Sequence, residues 1–127
     1  MTEEKPFTWH DFLDLADRIT KISFDNIEEA KCRTIISRAY YACYHKALDL
    51  LKEKYHFVPS GEHKHKEVLD TLRYYNSSLA DEFSDLLDDR ATADYTVEKR
   101  IDIKKAKMVV LQSKQVFTAI KEMYKLP

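Results

Sequence analysis

A guanidinium, a phenol and an imidazole stand at Arg38, Tyr41 and His45, offsets 0, 3 and 7 in a stretch without Gly or Pro. At about 100° per residue the three fall on one line of a helix. Arg38 and His45 are then two turns apart, about 10 Å along the axis, and their side chains can converge on one phosphate. On an RNA phosphate an imidazole can move the 2′-hydroxyl or leaving-group proton. A guanidinium can stabilise the pentavalent phosphorane, and neither needs a metal. The same spacing also fits a structural arrangement, with Arg38 paired to an acid and His45 a satisfied, half-buried ring. Arg90 is a second case: it follows Asp88 and Asp89 at the end of an apolar face, where a cation must be paired. Asp94 across a connection, or an acid of another helix, is the candidate partner; a phosphate contact at a subunit interface is the functional reading.

Other constellations carry less. His56, His63 and His65 suggest a metal, but His63 and His65 would point about 200° apart on a helix, and no Cys pair or spaced acid completes a ligand set. No metal and no cofactor are expected, and His65 reads as a capping or core residue. Tyr40, Tyr41 and Tyr44 could stack on bases, although aromatics at this spacing usually belong to a core. There is no Gly-rich phosphate loop, no Gly-x-Ser-x-Gly elbow and no zinc-hydrolase helix, so the common enzyme classes find no support.

The elements that must position these residues are helical. One Gly and three Pro in 127 residues argue against a sandwich or barrel. Thr8 with Asp11 resembles a capping box for a first helix reaching about Ile22. Asn26 with Glu29 opens a long central helix in the same way. Its stripe of Ile36, Tyr40, Cys43, Ala47 and Leu51, widened by Ile35, Ala39, Leu48 and Leu50, predicts contact on more than one side. The break at 57–61, with Pro59 and Gly61, ends it. Val68, Leu69, Leu72 and Tyr75 form a third stripe headed by His65. Asn76, Ser77 and Ser78 make a turn and cap, Leu79, Phe83, Leu86 and Leu87 a fourth helix, and 91–97 a connection. Ile103, Ala106, Val110, Ser113, Phe117, Ile120 and Tyr124 keep a heptad over a long last helix. The expected fold is a single all-α domain over 1–127, an up-and-down bundle of four to five helices.

A net charge of −1 excludes a polyanion binder that is basic all over. The charge is uneven: six acids and one base lie between Asp81 and Asp94, and eight Lys or Arg between Lys99 and Lys125. That asymmetry suits self-association between unlike faces, one local anion-binding face, or ordinary solvated helices. No apolar run approaches the roughly 20 residues of a membrane span, and the start has no apolar signal region. Cys32 and Cys43, eleven apart on one helix, would lie roughly 16 Å from each other and cannot pair. A reduced, cytoplasmic protein is expected.

Two segments together resemble a known family. Ser37-Arg38-Ala39-Tyr40-Tyr41-Ala42-Cys43-Tyr44-His45, followed by His65, and Arg90-Ala91-Thr92-Ala93-Asp94-Tyr95, followed by one long helix, are similar to the HEPN domain (higher eukaryotes and prokaryotes nucleotide-binding) in its minimal prokaryotic form. The resemblance spans about Ile27 to Tyr124. It implies a dimerising helical bundle with the functional groups of both protomers in a cleft. It also implies a place in a toxin–antitoxin-like two-gene module with a small nucleotidyltransferase, which in such modules can silence the toxin by modifying a Tyr near the active motif. Many members are metal-independent ribonucleases carrying Arg-x(4–6)-His. Here Arg90 is followed by Tyr95 instead, and a phenol with a pKa near 10 is a poor general base. The stretch that satisfies the spacing is Arg38 to His45, on another helix.

The expected function is therefore RNA or nucleotide binding as a homodimer within such a module, with metal-independent ribonuclease activity as its enzymatic form. Arg38 and Arg90 would hold phosphate, His45 would transfer protons, and Asp94 would orient an Arg. Ser37, Tyr41 and His65 would complete the binding set, and Tyr95 would be the stacking or modification residue. The alternative is a non-catalytic interaction or nucleotide-binding module in which the same polar residues fix helix packing and a partner protein carries the function.

Overall fold

The computed structural model describes residues 5–127, and its secondary structure is entirely helical. The helices are α1 (His10–Ile19), α2 (Glu28–Tyr55), α3 (Lys64–Tyr75), α4 (Ser77–Tyr95) and α5 (Ile103–Lys125). No described helix is long and apolar enough to cross a membrane.

α2 is the axis of the bundle and packs against each of the other four helices. Its apolar residues explain why. Ile35, Ile36, Ala39, Tyr40, Ala42, Cys43, Ala47, Leu50 and Leu51 are all buried, an apolar surface too broad for one partner. α5 likewise buries the expected Ala106, Val110, Ser113, Phe117 and Ile120, and also Val109, Val116 and Met123. A second row beside the heptad is needed because α5 touches α1, α2 and α4. Both cysteines are free and buried, and burial pushes the Cys43 thiol up to about 12.

Contacts along the helices set the directions. Tyr40 meets Phe83 and Arg33 reaches the Thr92 and Ala93 carbonyls, so α2 and α4 are antiparallel. Lys105 pairs with Asp89 and Gln112 reaches the Glu82 carbonyl, so α4 and α5 are antiparallel too. α3 departs from simple up-and-down alternation. His65 at its start meets Tyr40, and Tyr75 at its end stacks on Tyr55, so α3 runs in the same sense as α2. The connection over 56–63 must return along α2 to allow this. It leaves through His56 in the left-handed region (φ 58°), with the Phe57 N–H donating to the Leu51 carbonyl to satisfy the helix end.

Three local expectations are corrected. Residues 91–95 are the last turn of α4 rather than a connection, because Ala93 is buried and Arg33 holds the carbonyls that end the helix. Asn26 does not cap α2: it sits at φ 66°, Ile27 occupies the cap position, and the Glu28 carboxylate instead accepts from the Phe24 N–H. α1 stops at Ile19 rather than Ile22. At its start one half of the capping box is present, the Asp11 carboxylate accepting from the Thr8 N–H at 2.9 Å. Asn76 caps α4 as expected, accepting from the Leu79 N–H.

Candidate functional site

The eight residues singled out by type and spacing converge where α2, α3 and α4 meet. α2 contributes Ser37, Arg38, Tyr41 and His45, α3 contributes His65, and α4 contributes Arg90, Asp94 and Tyr95. Tyr41 is the centre. The guanidinium carbons of Arg38 and Arg90 lie 4.9 and 5.0 Å from its ring centre, and the rings of His45 and His65 lie 6.0 and 5.9 Å from it.

Arg90 is tied down. Its Nε donates to Asp94 at 2.9 Å, and a terminal nitrogen donates to the hydroxyls of Tyr41 and Tyr95. Asp94 also accepts from the Ser37 hydroxyl at 3.2 Å. The chain Ser37–Asp94–Arg90–Tyr41 thus joins α2 to α4, and Asp94 orients Arg90 from four residues along the same helix rather than across a connection. Tyr95 remains 71% exposed with Arg90 against its ring.

Arg38 is different. Half-buried, it lies between the rings of Phe12 and Tyr41, 5.2 and 4.9 Å from their centres. Its hydrogen bond is a long one, 3.5 Å, to the Ser37 hydroxyl, and no carboxylate among the described residues pairs with it. The acid expected of a structural arginine is missing. Two aromatic faces hold the guanidinium, and no carboxylate among the described residues neutralises it.

His45 stacks on Trp9 with ring centres 3.9 Å apart and planes 12° from parallel. The Trp9 indole N–H donates to Asp49 at 3.1 Å, so Trp9, at the cap of α1, and Tyr41 of α2 flank the imidazole. Neither ring nitrogen of His45 is hydrogen-bonded to a described residue, and neither is sealed from solvent. Burial lowers the His45 pKa below its ordinary 6.5, with Asp49 opposing and Arg38 and Lys52 adding to the shift. The ring is neutral at pH 7, the form a general base needs. His65 has its pKa lowered by burial, then by Arg90 and His45. Its Nδ1 lies 2.6 Å from the hydroxyl of buried Tyr40.

Among the eight residues two guanidinium groups face one carboxylate, that of Asp94, on a chain of net charge −1, with Asp49 beyond His45 on the Trp9 side. A depression of about 520 Å³ lies at the start of α3, lined by Ser60, Glu62, His63, Lys66, Glu67 and Asp70, where three carboxylates outnumber the one lysine and disfavour an anion. No group of three or more His, Cys, Asp or Glu among the described residues could hold a metal ion. The chemistry available is anion binding next to a neutral imidazole.

Trp9, Phe12 and Tyr40 belong to the site but read as apolar stripe in the sequence. Asp49, four residues beyond His45, was the available signal that the imidazole has an acid nearby. No family model, no curated protein and no solved structure matches the chain.

Proposed function

We propose that this chain is a HEPN-like, RNA-binding partner in a two-gene module with a nucleotidyltransferase, and that it cleaves RNA without a metal. The observation that carries the reading is Arg38: a half-buried guanidinium, held by two rings and without a carboxylate, beside a neutral and unbonded His45. Arg38 binds the phosphate. His45 takes the proton of the 2′-hydroxyl as the O2′–P bond forms and the P–O5′ bond breaks. That proton then passes through water to the departing 5′-oxygen, leaving a 2′,3′-cyclic phosphate and a 5′-hydroxyl. Arg90, oriented by Asp94, adds positive charge for the phosphorane, and exposed Tyr95 offers a ring for stacking or a hydroxyl for modification. A homodimer and a nucleotidyltransferase partner form part of the same proposal.

One observation favours the non-catalytic alternative: Arg90, Asp94, Ser37 and Tyr41 satisfy one another, as a packing network would. Incubation of labelled single-stranded RNA with wild type and His45→Ala in EDTA separates the two, with folding checked by circular dichroism. Cutting by wild type that is lost in a folded variant supports the ribonuclease. No cutting, together with stable co-purification of a nucleotidyltransferase, supports the interaction module.

A further inference from the structure

The two histidines of the cluster are held differently, and this difference separates their chemistry. His45 is clamped by ring stacking with both nitrogens unbonded. His65 has Nδ1 engaged by the Tyr40 hydroxyl at 2.6 Å, while its Nε2 has no partner among the described residues and is not sealed from solvent. Tyr40 is fully buried, and burial raises its pKa, so the phenol keeps its proton. Among the described residues that hydroxyl has one hydrogen-bond partner, His65 Nδ1. A neutral imidazole that accepts at Nδ1 must carry its own proton at Nε2.

We infer that Tyr40 locks His65 as the Nε2–H tautomer, making His65 a hydrogen-bond donor to the phosphate oxygens of a bound ribonucleotide rather than a second base. The inference deepens the reading above and rests on its phosphate ligand. The groups facing His65 agree with the role. From α2 these are Tyr40, Tyr41, Tyr44 and His45, and from α4 Arg90. Phenols, a neutral imidazole and a cation supply no carboxylate that would favour the imidazolium. The Tyr44 ring, 4.2 Å from the His65 ring centre and 5.0 Å from that of His45, touches both rings, so a ligand at Arg38 and Arg90 is approached by one acceptor nitrogen and one N–H. His65 gives up no proton in this role. Its N–H strengthens as charge builds on the phosphate oxygens, and Tyr40 acts as a positioning residue through it.

Ring-nitrogen NMR of the full chain tests the assignment directly. At pH 7.5 the His65 Nδ1 is expected to resonate as an unprotonated nitrogen and Nε2 as a protonated one. Tyr40→Phe, which keeps the buried ring, is expected to return His65 to a mixture of tautomers. Uridine 3′-monophosphate should move the His65 Nε2 signal. His65→Ala should weaken its binding about tenfold, and His65→Gln, whose amide keeps a donor near the Nε2 position, should restore most of it. An Nδ1–H tautomer in wild type overturns the inference and leaves the ribonuclease proposal standing. So does unchanged nucleotide affinity in His65→Ala. Failure of wild type to bind the nucleotide at all overturns both, whereas the expected tautomer and nucleotide effects without RNA cleavage would uphold this inference and refute the ribonuclease.

Discussion

Arg38→Met separates an anion site from a packing network more sharply than any loss-of-fold variant. Methionine keeps an unbranched apolar stem between Phe12 and Tyr41 and removes the guanidinium with its charge and donors. The loss is two cation–π contacts, about 0.5–1 kcal/mol each, and a 3.5 Å contact to Ser37. The gain is relief from desolvating a half-buried cation that no carboxylate compensates. The two largely cancel, so folding stability should change by no more than about 1 kcal/mol. Phosphate binding should change far more: losing hydrogen bonds from a charged donor is worth about 1.5–3 kcal/mol, which is roughly 10- to 150-fold in affinity. Arg90→Met is the control. It breaks the ion pair with Asp94, whose partners are 12% and 25% exposed, and strips both phenols of their donor, so it should destabilise by about 2–3 kcal/mol. Urea unfolding and titration with uridine 3′-monophosphate at constant salt measure both quantities. The reasoning is refuted if Arg38→Met destabilises as much as Arg90→Met, or if it binds the nucleotide like wild type.

Other outcomes follow from the same contacts. Arg33 donates to the carbonyls of Thr92, Ala93, Val97 and Lys99, so Arg33→Ala should cost roughly 2–3 kcal/mol and speed hydrogen exchange in residues 91–102 before the rest of the chain. Phe83→Ala empties a fully buried site against Tyr40 and should cost about 3–5 kcal/mol in urea unfolding. His45 and His65 both have pKa values below 6.5 in the folded chain, so the unfolded chain binds more protons just below that pH. Stability should decline as pH falls through the unfolded histidine value of 6.5 towards the lowered folded values. The double variant His45→Gln/His65→Gln should flatten this slope, and an unchanged slope would show that the histidines are not buried as described.

The sequence announced the helices more readily than their directions. Stripes such as Ile36, Tyr40, Cys43, Ala47 and Leu51 have one periodic solution, and α2 is central as its breadth implied. The return along 56–63, by contrast, leaves no periodicity, and nothing local says that α3 runs parallel to α2. Local signals also misled where tertiary contacts prevail: the unpatterned residues 91–95 are helical because Arg33, nearly 60 residues earlier, binds their carbonyls. At the site, Arg38, Tyr41 and His45 were visible because they share one helix face. The convergence of Arg90, Asp94 and Tyr95 on them depended on an α2–α4 antiparallel pairing that spacing alone does not encode. Trp9, Phe12 and Tyr40 were hidden because an aromatic that holds a polar side chain has the same sequence signature as one that fills a core.

The central claim, that a neutral His45 beside an unpaired Arg38 performs metal-free transesterification of RNA, is tested most directly by a pH profile of cleavage in EDTA with analysis of the product ends. The account predicts 2′,3′-cyclic phosphate and 5′-hydroxyl ends, with a rising limb whose midpoint lies below pH 6.5 and which disappears in His45→Ala. Products with 5′-phosphate ends, a requirement for added metal, or no cleavage at any pH would contradict it.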